Sequence, residues 1–183
     1  MLRNYADNPL ISALKEWLLE NGRDVSVAKN GFFSQAGESP DKVGIVIHGS
    51  FAMCSDNEKG HRAIFSIAFA GEFISNYLAH AVGQPCVYDI QALENSVVRV
   101  ADVSDIDRIF LGHKPEEKCD FMSAMAYGMM RRIISLKCDT PLKRYQSLLE
   151  RIPDVHQKVS MTALSAYLGL SREAFQRMKR TLR

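Results

Sequence analysis

The residues best suited to chemistry with another molecule lie near the end of the chain, in MTALSAYLGLSREAFQRMKRTLR (161–183). Helical spacing puts Arg172, Glu173, Gln176, Arg177, Lys179 and Arg180 off a face that Phe175 and Met178 would bury. Arginine pairs bidentately with guanine and glutamate accepts from cytosine, so the first turns of such a helix can read bases in a major groove. Lys179 and Arg180, further along, suit phosphate. Ser160 and Thr162, at the start of the preceding helix, can donate to phosphate as well. Ser171 can cap the arginine-bearing helix and completes this candidate DNA-binding set. An ordinary helical hairpin with a charged outer face would share the bare pattern. Charge alone does not separate the two readings, since a solvated basic face would look similar. What favours DNA is that Arg172, Glu173, Gln176 and Arg177 open the second helix within a segment, 139–183, holding nine Lys/Arg against four Asp/Glu in a chain of only +2.

Other reactive residues are scattered. Cys54, Cys86, Cys119 and Cys138 stand far apart with no Cys-x-x-Cys pair, which predicts reduced, mostly buried thiols rather than zinc or iron–sulfur ligation. His48, His61 and His80 do not cluster as the inward ligands of a cupin-type metal site would, and none of them, nor Cys86, stands out as a haem ligand. No cation lies within residues 83–89 to stabilise a Cys86 thiolate, so a buried thiol is expected there rather than a redox switch. No Ser–His–Asp or paired-carboxylate arrangement follows from spacing. The expectation is no metal, no cofactor and no enzyme activity.

These residues need elements to hold them. Of the 183 residues, 46% are hydrophobic and 24% charged, a globular balance with material for a core. No apolar run reaches the roughly 18 residues of a membrane span. Asp7 and Glu16 interrupt the N-terminal apolar stretch, so no secretory signal is read and a cytoplasmic protein is expected. Asn8-Pro9 and Asn21-Gly22 bracket a helix over 8–21. Residues 24–104 alternate short apolar runs with turns: 25–28, 43–48, 51–54, 63–68, 89–92 and 97–100, with 56–60 as a hairpin turn. That spacing predicts a barrel or jelly roll. Residues 115–137 form a long helix with Phe121, Met122, Met125, Met129, Ile133 and Leu136 on one face and Tyr127, Met130 and Ile134 beside it. Either a core buries so wide a band or a second copy of the helix does. The small residues Ser123, Ala124, Ala126 and Gly128 favour the pairing, with Met122, Met125, Met129 and Ile133 at the contact. Helices over 141–151, 161–168 and 172–182 follow. The last two flank Gly169-Leu170-Ser171 as a helix-turn-helix, with Ala163 and Leu164 packing on Phe175 and Met178.

The run Gly169-Leu170-Ser171-Arg172-Glu173-Ala174-Phe175-Gln176-Arg177 resembles the recognition motif of the family of the cyclic-AMP receptor protein and Fnr, bacterial one-component transcription regulators. Val43-Gly44-Ile45-Val46-Ile47-His48-Gly49-Ser50-Phe51 resembles that family's strand–Gly–strand element, and Ala70-Gly71-Glu72-Phe73-Ile74 its sensor turn. The tail is most similar to the subgroup common in Bacteroidetes. The resemblance implies an α+β chain in three parts: a cyclic-nucleotide-binding-like β-roll over 1–112, a dimerisation helix over 113–138, and a helix-turn-helix over 139–183. It also implies that Arg172, Glu173 and Arg177 read bases, and that a homodimer binds two-fold symmetric DNA.

Two departures qualify the resemblance. The effector pocket would involve Gly71, Glu72, Asn76, Cys86 and Val87, where Asn76 replaces the family's ribose-binding Glu, Cys86 its phosphate-binding Arg, and Val87 the following Ser or Thr. A buried cyclic phosphate without a cation is strongly disfavoured, so tight cyclic-AMP binding is not expected, and an effector of another kind is left possible. The family's C-terminal β-hairpin wing is also expected to be missing, since the sequence ends at Arg183. The rival expectation is a ligand-binding or interaction protein whose terminal hairpin is only structural.

Overall fold

The computed structural model describes residues 8–58 and 60–180. Residues 1–7 of the N-terminal stretch read for a signal, Lys59 of the hairpin turn, and residues 181–183, which include the last two of the helix expected over 172–182, lie outside these residues.

Helix α1 (Pro9–Asn21) starts where the Asn8 side chain accepts from the Leu10 amide, with Pro9 in the first turn, where no N–H is needed. Strands β1 (Arg23–Val27), β2 (Phe32–Ser34), β3 (Lys42–His48), β4 (Ser50–Asp56), β5 (Arg62–Phe69) and β6 (Phe73–Ser75) follow, then a short helix α2 (Tyr77–Ala81) and strands β7 (Asp89–Ala92) and β8 (Ser96–Asp102). They form two four-stranded antiparallel sheets, ordered β1-β8-β3-β6 and β2-β7-β4-β5, the jelly roll read from the sequence. Helices α3 (Val103–Gly112), α4 (Pro115–Cys138), α5 (Pro141–Arg151), α6 (Val155–Lys158), α7 (Met161–Leu168) and α8 (Arg172–Arg180) complete the chain.

The inner faces of the sheets meet through Phe33, Val46, Phe51, Ile74, Ile90 and Val98. Gly44 is required for that closeness: a Cβ there would lie 2.4 Å from Val98 and 3.2 Å from the Phe33 ring. Both outer faces are also covered. Leu10, Leu14 and Leu18 of α1, Ile106 and Phe110 of α3 and Phe121 of α4 join Val43 and Ile45 of the first sheet. On the second sheet, Ala52, Cys54, Ile64, Ile67 and Phe69 meet Tyr145, Leu148, Val155, Val159, Leu164, Leu168 and Phe175. Burial on two sides explains why β5 reads as a nearly unbroken apolar run rather than an alternating one.

Five elements escaped the sequence reading. Strands β2 and β6 are too short for alternation to show. Helices α2 and α6 are single turns, and α3 continues directly from β8 with no cap bond from the Asp102 side chain. On α4, Phe121 is buried and Met125 is half-buried against the α1–α3 core, so Met125 does not share the outward face expected of it. Met122, Met129 (46% exposed) and Ile133 (55%) do face outward, with Tyr127, Met130, Ile134 and Leu136. Cys54 and Cys86 are buried, but Cys119 and Cys138 are exposed, because they lie on the uncovered side of this helix. Among the described residues no helix is long and apolar enough to cross a membrane.

Candidate nucleic-acid interface and sensor position

The α7–α8 corner is built by local bonds. Ser160 caps α7 by accepting from the Ala163 amide at 3.2 Å, and Ser171 accepts from the Ala174 amide at 3.1 Å at the start of α8. Gly169 takes φ 68°, and the Gly169 and Leu170 amides donate to the Ala166 and Ser165 carbonyls, a Schellman closure that favours glycine at this position. Arg144 on α5 braces the corner: its guanidinium donates to the Leu168 carbonyl at 2.7 Å and to the Asp139 carbonyl at 2.6 Å. Phe175 is 0% exposed among Ala163, Leu164 and Leu168, with Met178 and Leu170 half-buried at the edge and the Tyr145 ring edge-on at 5.3 Å.

That anchor leaves Arg172, Glu173, Gln176, Arg177 and Arg180 exposed on α8 and Ser160 and Thr162 exposed at the start of α7. Lys179 differs from the expectation of a free outer position: it is half-buried, its ammonium 5.9 Å from the Phe175 ring centre. The Glu173 carboxylate is held below its ordinary pKa by its own backbone N–H, by the Ser171 hydroxyl and by Arg172 and Arg177. It therefore stays an ionised acceptor at neutral pH, while Arg172 and Arg177 stay donors. The Ser160 oxygen, used as a cap, keeps its own O–H for a further acceptor such as phosphate, whereas the Ser171 O–H is directed at Glu173.

The sensor position gathers only part of its expected set. Asn76 is 4% exposed at the start of α2, and its amide donates to the Ser34 hydroxyl at 3.0 Å and to the Tyr88 carbonyl at 3.3 Å, leaving Oδ1 without a partner. Cys86 is buried nearby, in contact with Ser34. Burial, then Glu38, push its pKa up, so the thiol stays protonated. The other three residues do not join them. Gly71 is an exposed turn with φ 87°. Glu72 closes that turn by accepting from the Phe69 amide and faces Arg151 at 3.8 Å, and Val87 is 69% exposed. Glycine and glutamate in that turn serve the backbone, and the loop before β7 turns Val87 to solvent.

Sequence reasoning missed three arginines, of which two stitch the helices to the roll and the third ties helix to helix. Arg132 on α4 donates to the Phe65 carbonyl of β5, Arg151 on α5 donates to the Ile67 carbonyl of the same strand, and Arg144 braces the corner as described. Nothing in their spacing marks them, because their partners are backbone carbonyls distant in sequence. Among the described residues no three His, Cys, Asp or Glu side chains are grouped to hold a metal ion.

Residues 24–113 match the family model described as the cyclic nucleotide-binding domain. No curated protein sequence matches the chain. Among solved structures, FixK2 from Bradyrhizobium japonicum is 17% identical with a TM-score of 0.71, over 88% of this chain and 84% of that one. The c-di-GMP responsive global regulator CLP from Xanthomonas campestris is 13% identical with a TM-score of 0.65, over 93% and 91%. A CRP-family transcriptional regulator from Thermus thermophilus is 15% identical with a TM-score of 0.61, over 86% and 83%. At these identities the likeness is one of fold, and residues 24–113 accordingly form a jelly roll of the cyclic nucleotide-binding type in a chain with the fold of Crp/Fnr-type regulators.

Proposed function

We propose that this protein is a cytoplasmic, DNA-binding transcription regulator of the Crp/Fnr type, nearest the subgroup common in Bacteroidetes, that acts as a homodimer on a two-fold symmetric site. The observation that carries the reading is the outer face of α8. Arg172, Glu173, Gln176 and Arg177 project together from a helix whose other side is fixed by the fully buried Phe175. The division into a sensor roll (1–112), a dimer helix (113–138) and a DNA-binding part (139–183) belongs to the same reading. The partner would cover the α4 row of Met122, Ala126, Met129, Ile133 and Leu136, whose alternating four- and three-residue steps suit a two-stranded coiled coil. Met125 stays with the core.

The roll is not a tight cyclic-AMP receptor in this reading. Ser34, Asn76 and Cys86 offer neutral polar groups, chemistry for an uncharged small effector rather than for a cyclic phosphate. No catalytic role is assigned.

The test is binding to DNA from upstream regions over a salt series. A regulator of this kind loses affinity with a log–log slope of about −0.9 per phosphate neutralised. A purified dimer that ignores DNA at low salt would mean the hairpin is only structural. Calorimetry with cyclic AMP is expected to give no micromolar binding, and such binding would sink the sensor part of the reading.

A further inference from the structure

A continuous line of contacts joins the sensor position to the α7–α8 corner, and each link in it is a side chain or carbonyl already in place. Asn76 donates to the Tyr88 carbonyl, and the Tyr88 hydroxyl donates to the Ser75 carbonyl at 2.9 Å. The Tyr88 ring stands edge-on to the Phe65 ring of β5, with centroids 5.1 Å apart and planes at 84°. The backbone carbonyl of the same Phe65 accepts from Arg132 Nε at 2.5 Å. The Arg132 guanidinium lies 4.1 Å from the centre of the Tyr167 ring on α7. One side chain from the long helix thus touches both the roll and the recognition part.

The hold is not a saturated one. Arg132 Nη2 is buried without a hydrogen-bond partner, and the nearby charges are two more cations, Arg144 and Arg151. Burial is the larger cause that draws its pKa down. A buried donor left unmade and cations gathered together both weigh against the docked arrangement, so small shifts at Phe65 can change how well it holds. Arg151 lacks this character: it is more exposed, reaches the Ile67 carbonyl at 3.0 Å and has Glu72 beside it.

We infer that Arg132 is a positioning residue that fixes the recognition part against the roll, and that the Tyr88–Phe65 ring pair makes this hold depend on the state of the Asn76–Cys86 cluster. An occupant that moves Asn76 moves Tyr88, then the Phe65 carbonyl, then the angle of α7 and the α8 it carries. The shared element is β5, a strand with the sensor on its inner face and the recognition part on its outer one.

The test is a double-mutant cycle read by amide hydrogen exchange in the full-length protein. Arg132→Lys keeps the charge but loses the planar stack on Tyr167. It is expected to speed exchange across residues 161–168 by about tenfold, while the β3–β8 amides stay protected. Tyr88→Ala alone is expected to speed the same segment by about threefold, and to add nothing in the Arg132→Lys background. Should Tyr88→Ala loosen the β3–β8 amides as well, Phe65→Leu takes its place in the cycle. Unchanged exchange at 161–168 in Arg132→Lys, or full additivity of the two substitutions, overturns the inference.

Its consequence for DNA rests on the functional reading above and has a separate readout. Wild type is expected to prefer one spacing between half-sites, and Arg132→Lys to flatten that preference. A variant with faster exchange but the wild-type spacing preference overturns the positioning role. A wild type that binds no DNA, with a non-additive exchange cycle, overturns the DNA reading and supports the coupling.

Discussion

At the scale of single residues, Arg172 and Lys179 carry similar charge in different settings. Arg172 is exposed in the first turn of α8, where base edges would lie, so Arg172→Ala is expected to cost about 1–3 kcal/mol at one base pair and to relax discrimination there. Lys179 sits half over the Phe175 ring. Lys179→Ala is expected to weaken all DNA sequences alike and to lower the salt slope by about one, as competition with random DNA would reveal. Arg172, Glu173, Gln176 and Arg177 were legible because helical spacing alone decides which side of a helix they occupy. Lys179 was legible only as a cation, since a long side chain can fold back over its own anchor. His156 gives a second test. The Tyr145 hydroxyl meets its Nε2, and burial, then Lys179, hold its pKa below the usual 6.5. An unfolded chain protonates this imidazole near 6.5 and the folded chain only at lower pH. Its contribution to stability is therefore complete above 6.5 and is lost as the pH falls through the folded value. Denaturant titrations at pH 7.5 and 5.5 are expected to show a larger acid loss in wild type than in His156→Gln, and an equal loss would mean His156 is not the group responsible.

At the scale of elements, α4 rewards a substitution and its neighbour together. Met129 is exposed and Met125 half-buried against the roll. Met129→Glu is expected to yield a folded monomer by light scattering, whereas Met125→Ala is expected to lower stability, by about 2–5 kcal/mol for a fully buried methionine and less here, without changing the mass. A dimeric Met129→Glu protein would reject α4 as the contact. The long helix, the strands with clear alternation and the α7–α8 corner were all readable, because each repeats a period over enough residues to stand out. Strand β6 has three residues and α2 has five, and the roll needs both to hold Asn76. What made them invisible is that tertiary packing, not local pattern, selects their shape. The same limit hid Tyr167 and Phe65: their roles exist only once α7 lies on β5.

At the scale of the whole molecule, charge is distributed to favour one end. The excess of Lys/Arg in residues 139–183 stands against a slightly acidic remainder, so electrostatics favour the approach of a polyanion at the helical end rather than at the roll. The order of roll, long helix and helical corner was plain in the sequence, but their mutual dependence was not. Tyr145, Leu164, Leu168 and Phe175 share one core with Ala52, Ile64, Ile67 and Phe69 of the roll. A chain cut near residue 139 would therefore give two fragments that each present a greasy wall to water, and neither is expected to remain monodisperse when expressed alone. Scanning calorimetry of the intact protein is expected to show a single endotherm, and two resolved peaks would show that the halves melt on their own. A chain built this way has no free-standing helical corner to lend to another protein: α8 can be inherited, mutated or degraded only together with the roll beneath it.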